Sequence, residues 1–245
     1  MSRRISFALL TWVEIRKVLD TRSSLAILAV LTAVAAALVV GFALFSQRNG
    51  VPVTFAGLAG SIGLFTALAM PLIGILGMTS DIAHRTTYVY YPLLGGRSGQ
   101  FWAKVTAAAA VALALQLFVL LLLAAVAWIA MGNATAPEVF RDAAGATARG
   151  VVSCLLSTMF GVALAAAIRR TALAIVAVIL VTLVGNGLIL TLLPDASGYL
   201  STLTAGAALV GGPEAPTVPE VITSLAIWYA LPLAIGWWIT ENGEA

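Results

Sequence analysis

The 245-residue chain is 61% hydrophobic and only 9% charged, and its formal net charge is +3. A soluble domain needs about a quarter of its residues charged to cover its surface with polar groups, so this composition excludes a soluble protein. The mean hydropathy of +1.05 instead fits a chain whose outer surface faces lipid. The single cysteine, Cys154, excludes a disulfide bond within the chain.

Residues 2–22 predict a basic, amphipathic helix, at about residues 3–20, that lies on the membrane surface. Polar Ser6, Glu14 and Lys17 lie opposite the apolar positions of this stretch. Its Arg and Lys residues suit the anionic surface of a cytoplasmic leaflet. A secretory signal peptide is the alternative, but the next apolar run is too long for one and lacks a clear cleavage site. The apolar positions at helical spacing are Ile5, Ala8, Leu9, Trp12, Ile15 and Leu19.

Six apolar runs are each long enough to cross a bilayer, which takes about 20 residues per helix. In the second run, several glycines predict close helix packing, and Met70-Pro71 predicts a bend. A tight turn at Arg169-Arg170 joins the fourth run to the fifth, and Pro194–Glu220 forms a long connection before the sixth. We therefore expect an all-α membrane protein of one domain, residues 1–245, with six transmembrane helices after the interfacial helix. The runs are about residues 24–45, 55–78, 105–131, 148–168, 172–193 and 221–240.

The distribution of Lys and Arg predicts the orientation of these helices, because cytoplasmic loops carry an excess of both. If the N-terminus is cytoplasmic, ten of the thirteen basic residues fall in inside segments and three fall outside. Both termini are therefore expected in the cytoplasm. The inside residues are Arg3, Arg4, Arg16, Lys17, Arg22, Arg85, Arg97, Lys104, Arg169 and Arg170, and the outside residues are Arg48, Arg141 and Arg149.

The stretch Ser80–Lys104 is a polar, aromatic and basic island between two apolar runs, and it is predicted to be a cytoplasmic loop. No Gly-Lys pair occurs in the chain, which excludes a phosphate-binding loop of the GxxxxGK[ST] type. One histidine is too few for the usual zinc ligands of a membrane metalloprotease. Gly96-Arg97-Ser98-Gly99 matches the GxSG of intramembrane serine proteases, an alternative weakened by the loop position and by the lack of a histidine after His84.

The predicted membrane cores contain no Asp, Glu, Lys or Arg, whereas ion-coupled carriers normally place such groups there. This absence indicates that energy for transport enters from elsewhere. Gln116 and Asn186 are the main polar groups within the spans and are candidates for a substrate pathway. Gly185-Asn186-Gly187 unwinds the fifth helix and lines that pathway in one interpretation. In the other, Asn186 only forms a hydrogen bond to a neighbouring helix.

Two segments resemble the permease subunits of ATP-binding-cassette (ABC) transporters of the type-2 exporter kind, common in bacteria. Glu14-Ile15-Arg16-Lys17 fits the E-x-x-K segment of that family's interfacial helix. The central loop offers the family's order of residues in Asp81, His84, Thr86, Pro92, Arg97 and Ala103-Lys104. The chain departs from the pattern at Arg85, where the family often has glycine, and in lacking a basic C-terminal end.

The resemblance implies that the loop after the second span docks on a separate ATPase subunit. Its candidate contacts are Asp81, His84, Arg85, Thr86 and Thr87, and the turn at Arg169-Arg170 is a second candidate. ATP and Mg²⁺ would bind to that partner, and this chain would hold no cofactor or metal and be no enzyme itself. The interfacial helix would contribute Trp12, Glu14, Arg16 and Lys17.

The family also implies a second permease copy or a homologous permease, a bacterial cytoplasmic membrane, export as the direction of transport, and no nucleic-acid partner. The aliphatic, small and aromatic residues of the spans suit a hydrophobic or amphiphilic substrate. A membrane-anchoring or regulatory subunit that transports nothing is the alternative from a different class.

Overall fold

The computed structural model describes residues 6–20, 22–83, 97–131, 135–210 and 215–242, and all of the regular secondary structure in these ranges is helical. The α-helical segments follow the apolar runs of the sequence, with short helices in some of the connections. In chain order they are α1 (Phe7–Asp20), α2 (Arg22–Arg48), α3 (Phe55–Ser61), α4 (Gly63–Ala83), α5 (Arg97–Ile129), α6 (Ala136–Val139), α7 (Ala143–Ile168), α8 (Thr171–Leu192), α9 (Ser197–Leu200), α10 (Thr204–Val210) and α11 (Val218–Asn242).

Five helices in the described residues are long and apolar enough to cross a membrane, and α3 with α4 makes a sixth if the bent pair is one span. The largest difference from the predicted bounds is at α5, which begins at Arg97 rather than near residue 105. Because Arg97–Lys104 forms the first two turns of α5, this part of the predicted loop is helical. At 33 residues, α5 is about 50 Å long, well beyond the roughly 30 Å of a hydrocarbon core.

The second span is bent between α3 and α4, where the two helices meet at 60°, while the bend predicted at Met70-Pro71 stays a prediction. Glycines near the break, Gly60 and Gly63, lower helix propensity there. Helix α4 continues through Pro71. A neighbouring helix stabilises this position, since the backbone of Gly161 in α7 lies directly against Pro71.

Helices α4 and α7 pack closely against each other. A side chain at Gly74 would collide with the backbone of α7 at Thr158, and one at Gly161 would collide with Pro71. Glycine at both positions lets the two backbones approach, as predicted for the second span. By contrast, Gly60 faces open space, so its role is not close packing.

Side-chain hydrogen bonds define one end of the bundle, which we call the basic end (Thr79, Ser98, Lys104, Thr171 and Trp237). The Thr171 hydroxyl donates to Thr79 Oγ1 (2.8 Å) and joins the start of α8 to α4. The Trp237 indole donates to Ser98 Oγ (3.0 Å) and joins α11 to the first turn of α5. Segments that the distribution of Lys and Arg predicts to be cytoplasmic therefore lie together at this end of the bundle.

The opposite end of the bundle is closed by the α2–α3 and α5–α7 connections. Gln47 Nε2 donates to the Ala130 carbonyl at 3.5 Å, and the rings of Phe55 and Phe140 lie 6.0 Å apart. Asp142, which precedes α7, forms an ion pair with Arg149 one to two turns later.

The connection predicted as a long loop, Pro194–Glu220, contains the helices α9 and α10 and folds back along α11. The Trp228 indole donates to the Leu200 carbonyl (2.7 Å), and the Ser224 hydroxyl donates to the Ser201 carbonyl (2.7 Å). Because Trp228 lies well inside α11, this segment packs along the side of the bundle rather than only over its end.

Candidate functional site

The basic end contains a buried ion cluster, which we call the Glu14 cluster (Glu14, Lys17 and Lys104). Glu14 Oε1 lies 2.7 Å from Lys17 Nζ, and Oε2 lies 3.0 Å from Lys104 Nζ. Glu14 is only 5% exposed and Lys104 only 8%. Burial of a charge is costly unless the charge is paired and hydrogen-bonded, and here each carboxylate oxygen has its own ammonium partner.

The geometry of the Glu14 cluster follows from helix periodicity. Lys17 is three residues after Glu14, so both side chains lie on one face of α1. Lys104 projects from the second turn of α5, and Thr11 and Thr106 add a further contact between the two helices, with their hydroxyls 3.2 Å apart. These polar contacts fix α1 on the part of α5 that directly follows the central loop.

The outward face of α1 is largely apolar, which reverses the arrangement of a helix on a soluble protein. Trp12 is 53% exposed, and Phe7 and Leu9 are also exposed. Arg16 lies over the Trp12 ring, with its guanidinium carbon 5.6 Å from the ring centroid, within reach of a cation–π interaction. Of the residues predicted for the interfacial helix, Glu14 and Lys17 thus face the bundle, while Trp12 and Arg16 face outward.

The turn between α7 and α8 lies beside the end of α4. Arg169 adopts a left-handed conformation (φ 56°), which ends α7, and Arg170 is exposed. The hydrogen bond from Thr171 to Thr79 places this turn next to the last turns of α4, which contain Asp81. The structure therefore brings two of the segments predicted to contact an ATPase subunit close together.

The other predicted contacts, His84, Arg85, Thr86 and Thr87, lie outside the described residues, and so does most of the loop between α4 and α5. Their coupling role stays a prediction. The described residues nonetheless define both points where this loop joins the bundle, at Ala83 and at Arg97.

Ser98, the serine of the GxSG match, accepts the hydrogen bond from the Trp237 indole. Next to it, Arg97 Nη1 donates to the Glu241 carbonyl at 3.3 Å. Both contacts hold the end of α11 against the start of α5. These contacts give the start of α5 a structural role. The alternative of an intramembrane serine protease remains untested, because His84 lies outside the described residues.

Gln116 lies in the middle of α5 and is only 2% exposed. Its Oε1 atom has no hydrogen-bond partner among the described residues. The side chain borders a cavity between the α3–α4 break, α5 and α7. The sequence singled out Gln116 as a pathway candidate because of its polarity, but only the packing shows that its oxygen is left unpaired.

Asn186 is also buried but is fully engaged. Its Nδ2 atom donates to Thr202 Oγ1 (2.8 Å), and its Oδ1 atom accepts from the Thr202 amide and the Ser201 hydroxyl (both 3.0 Å). The helix is not unwound here; the preceding residues, Leu180–Gly185, widen into a π-helical segment. These hydrogen bonds give Asn186 a structural role, because they hold the connection between α9 and α10. Its role in a substrate pathway remains a prediction.

The contact between Glu14 and Lys104 is the feature of the site that the sequence did not predict. The sequence predicts Glu14 on the polar face of a surface helix and Lys104 at the end of a cytoplasmic loop. The sequence contained one indication of this contact. The two residues have opposite charges and lie in segments that the distribution of Lys and Arg predicts on the same side of the membrane. Their contact depends on how α1 lies against α5, and a sequence pattern contains no such information.

Among the described residues, no group of three or more His, Cys, Asp or Glu side chains is arranged to hold a metal ion. No protein-family model matches the chain, and no curated protein matches it. The functional argument therefore rests on the basic end and on the cavity beside Gln116.

Proposed function

We propose that the chain is the transmembrane permease subunit of an ABC transporter of the exporter kind, with its basic end in the cytoplasm. The observation that carries this proposal is the Glu14 cluster, which joins an N-terminal helix to the start of α5 immediately after the polar loop. In this arrangement α1 is an interfacial helix whose outward apolar face, including Trp12, lies in lipid.

The loop between α4 and α5 is well placed to receive force from a soluble motor, because both of its attachment points are held by side-chain contacts. Thr79, one turn before the end of α4, is bonded to Thr171 of α8. The start of α5 is bonded to α1 through Lys104 and to α11 through Ser98. Movement of the loop would therefore be shared by α1, α4, α5, α8 and α11.

In the proposed complex, two permease chains and two ATPase subunits form the transporter, and ATP with Mg²⁺ binds only to the ATPase subunits. Nucleotide binding shifts the population between two arrangements of the helices. The mean hydropathy of the chain and its sparse membrane-embedded polar groups suit a hydrophobic or amphiphilic substrate.

The experiment is to isolate an ATPase subunit by co-purification with the chain, to reconstitute the two together and to measure ATP-driven export. Reversal of charge at Asp81 and Arg85 together is expected to reduce export at least tenfold without reducing assembly. Arg48→Glu, at the opposite end, is the control and should transport normally. Unchanged export in the double variant would contradict the coupling assignment. If no substrate stimulates the ATPase activity of the reconstituted complex, the result would favour the alternative that the chain is an anchoring or regulatory subunit.

A further inference from the structure

A cavity of about 380 Å³ lies between the α3–α4 break, α5 and α7, within the range of roughly 300–1,000 Å³ that small-molecule sites occupy. Leu120 and Leu123 belong to an apolar part of its wall. Gln116 and Arg149 also border it. Because Gln116 is about 18 Å along α5 from Lys104 at the helical rise of 1.5 Å per residue, the cavity is separate from the Glu14 cluster.

The charge of the cavity lining favours an anionic ligand. Among the described residues that border the cavity, Arg149 has the only charged side chain, and no Asp or Glu is present. A charge that leaves water loses hydration unless an opposite charge pairs with it. A ligand in the cavity therefore meets a cation and apolar groups, and an anionic polar end matches this lining better than a cationic one.

The partner that Arg149 has within the chain can be replaced by a ligand. Arg149 Nη2 donates to Asp142 Oδ2, but Asp142 lies outside the cavity lining, and its side chain is 54% exposed. Ion pairs between exposed side chains add little stability, and a guanidinium has five N–H donors. An anion that enters the cavity can therefore compete with Asp142 for Arg149.

Gln116 adds a hydrogen-bond donor on the same side of the cavity. Its Oε1 atom is closed off, but its Nε2 atom lies next to Gly150, the residue after Arg149, since a Cβ added to Gly150 would be 3.2 Å from Nε2. Gly150 itself borders the cavity. Because the nitrogen of a side-chain amide donates hydrogen bonds and does not accept them, it favours a ligand with acceptor oxygens, which an anionic group provides.

We propose that this cavity binds the anionic headgroup of an amphiphile through Arg149. The oxygens of the headgroup, a phosphate or a sulfonate, compete with Asp142 for the guanidinium, and the alkyl part packs against Leu120 and Leu123. The inference deepens the proposed transport function and rests on it for the meaning of the site as a cargo site. Anionic phospholipids of the bilayer have the same headgroup chemistry, so the source of the ligand needs its own experiment.

The test uses the full chain in phosphatidylcholine nanodiscs and two photoreactive probes that share one alkyl diazirine chain. The first probe is a decanesulfonate, which is anionic, and the second is the decanesulfonamide, which has nearly the same shape but is neutral. The measured quantity is the labelling of α5 and α7 peptides that an excess of the same compound without the diazirine removes. At equal probe concentrations in the bilayer, we expect about tenfold more such labelling by the sulfonate, a factor at the lower end for a hydrogen bond to a charged group.

Arg149→Gln should abolish the preference for the sulfonate, and Arg48→Gln, the same change at an exposed position of α2, is the matched control that should keep it. Asp142→Asn keeps Arg149 but removes its competing partner, so this variant should raise sulfonate labelling about two- to fivefold, the factor for an exposed ion pair. It decides the question if Arg149→Gln does not fold. Equal labelling by the two probes, an unchanged preference in Arg149→Gln, or labelling that does not rise in Asp142→Asn would each overturn the proposal.

Phosphatidylglycerol added to the nanodiscs distinguishes the two sources of ligand. Protection of the α5 and α7 peptides from the sulfonate probe would assign the site to an anionic membrane lipid, and undiminished labelling would assign it to a cargo that enters separately. Both results support the anion site. Because no ATPase subunit is present in the assay, its failure would leave the proposed coupling at the basic end untouched.

Discussion

The carboxylate of Glu14 lies 3.0 Å from the ammonium of Lys104, and this pair joins two helices whose charged residues are 90 positions apart in the chain. Because the second carboxylate oxygen is bonded to Lys17, loss of Glu14 would leave two ammonium groups without this partner. The pair therefore couples the position of α1 to the helix that follows the central loop.

Glu14→Gln is expected to lower the free energy of unfolding by about 3 kcal/mol, since it removes the carboxylate that two ammonium groups share in a buried ion cluster. Denaturant unfolding in detergent micelles measures this change. Asp142→Asn is the control, because its pair with Arg149 is partly exposed, and it should cost less than about 1 kcal/mol. Similar losses in the two variants would contradict a special role for the buried cluster.

A double-mutant cycle with Glu14→Gln and Lys104→Met isolates the pair from other effects of each change. We expect a coupling free energy of about 1–3 kcal/mol, the range found for residues in one ion-pair network. The cycle would show additive effects if the contact between α1 and α5 does not persist in the membrane.

Gly161→Ala is expected to destabilise the protein by about 1–3 kcal/mol, the usual cost of overpacking, because the added methyl group collides with the backbone at Pro71. Thermal unfolding of the purified chain measures this effect. Gly41→Ala in α2, where the added methyl group meets open space, is the matched control. There the higher helix propensity of alanine should stabilise the chain by up to about 1 kcal/mol.

Asn186→Ala is expected to loosen the connection between α8 and α11 rather than the whole bundle. It removes the hydrogen bonds that hold Ser201 and Thr202, with a local cost of about 1–3 kcal/mol. Hydrogen exchange should accelerate in residues 197–210 and stay slow in α4 and α7. Thr191→Val is the control, because the Thr191 hydroxyl bonds only within its own helix. Uniform acceleration through the chain would contradict a local role.

The orientation can be tested by cysteine labelling in a Cys154→Ala background, since native Cys154 is buried. Arg170→Cys, exposed at the basic end, should react with an impermeant maleimide only when the cytoplasmic side is accessible. Glu138→Cys, exposed at the opposite end, should react in intact cells. The reverse pattern would invert the proposed topology and remove the basis for a cytoplasmic motor.

The amino-acid sequence by itself determined the helical class, the approximate bounds of the long helices and the grouping of basic segments. These properties follow from apolar run length and from charge placement, both of which are local. The same local rules predicted a bend at Met70-Pro71, because proline disfavours a helix interior. They could not show that Gly161 packs against Pro71 or that the span is broken between α3 and α4.

Only the tertiary structure decided which polar groups meet. Glu14 and Lys104 are paired because α1 lies against α5, and Asn186 is satisfied because the α9–α10 connection folds back beside α8. Gln116 has the same kind of polar side chain but no partner for its oxygen among the described residues. Whether a buried polar group serves structure or binding depends on atoms that come from distant parts of the chain, and these contacts are fixed only by packing.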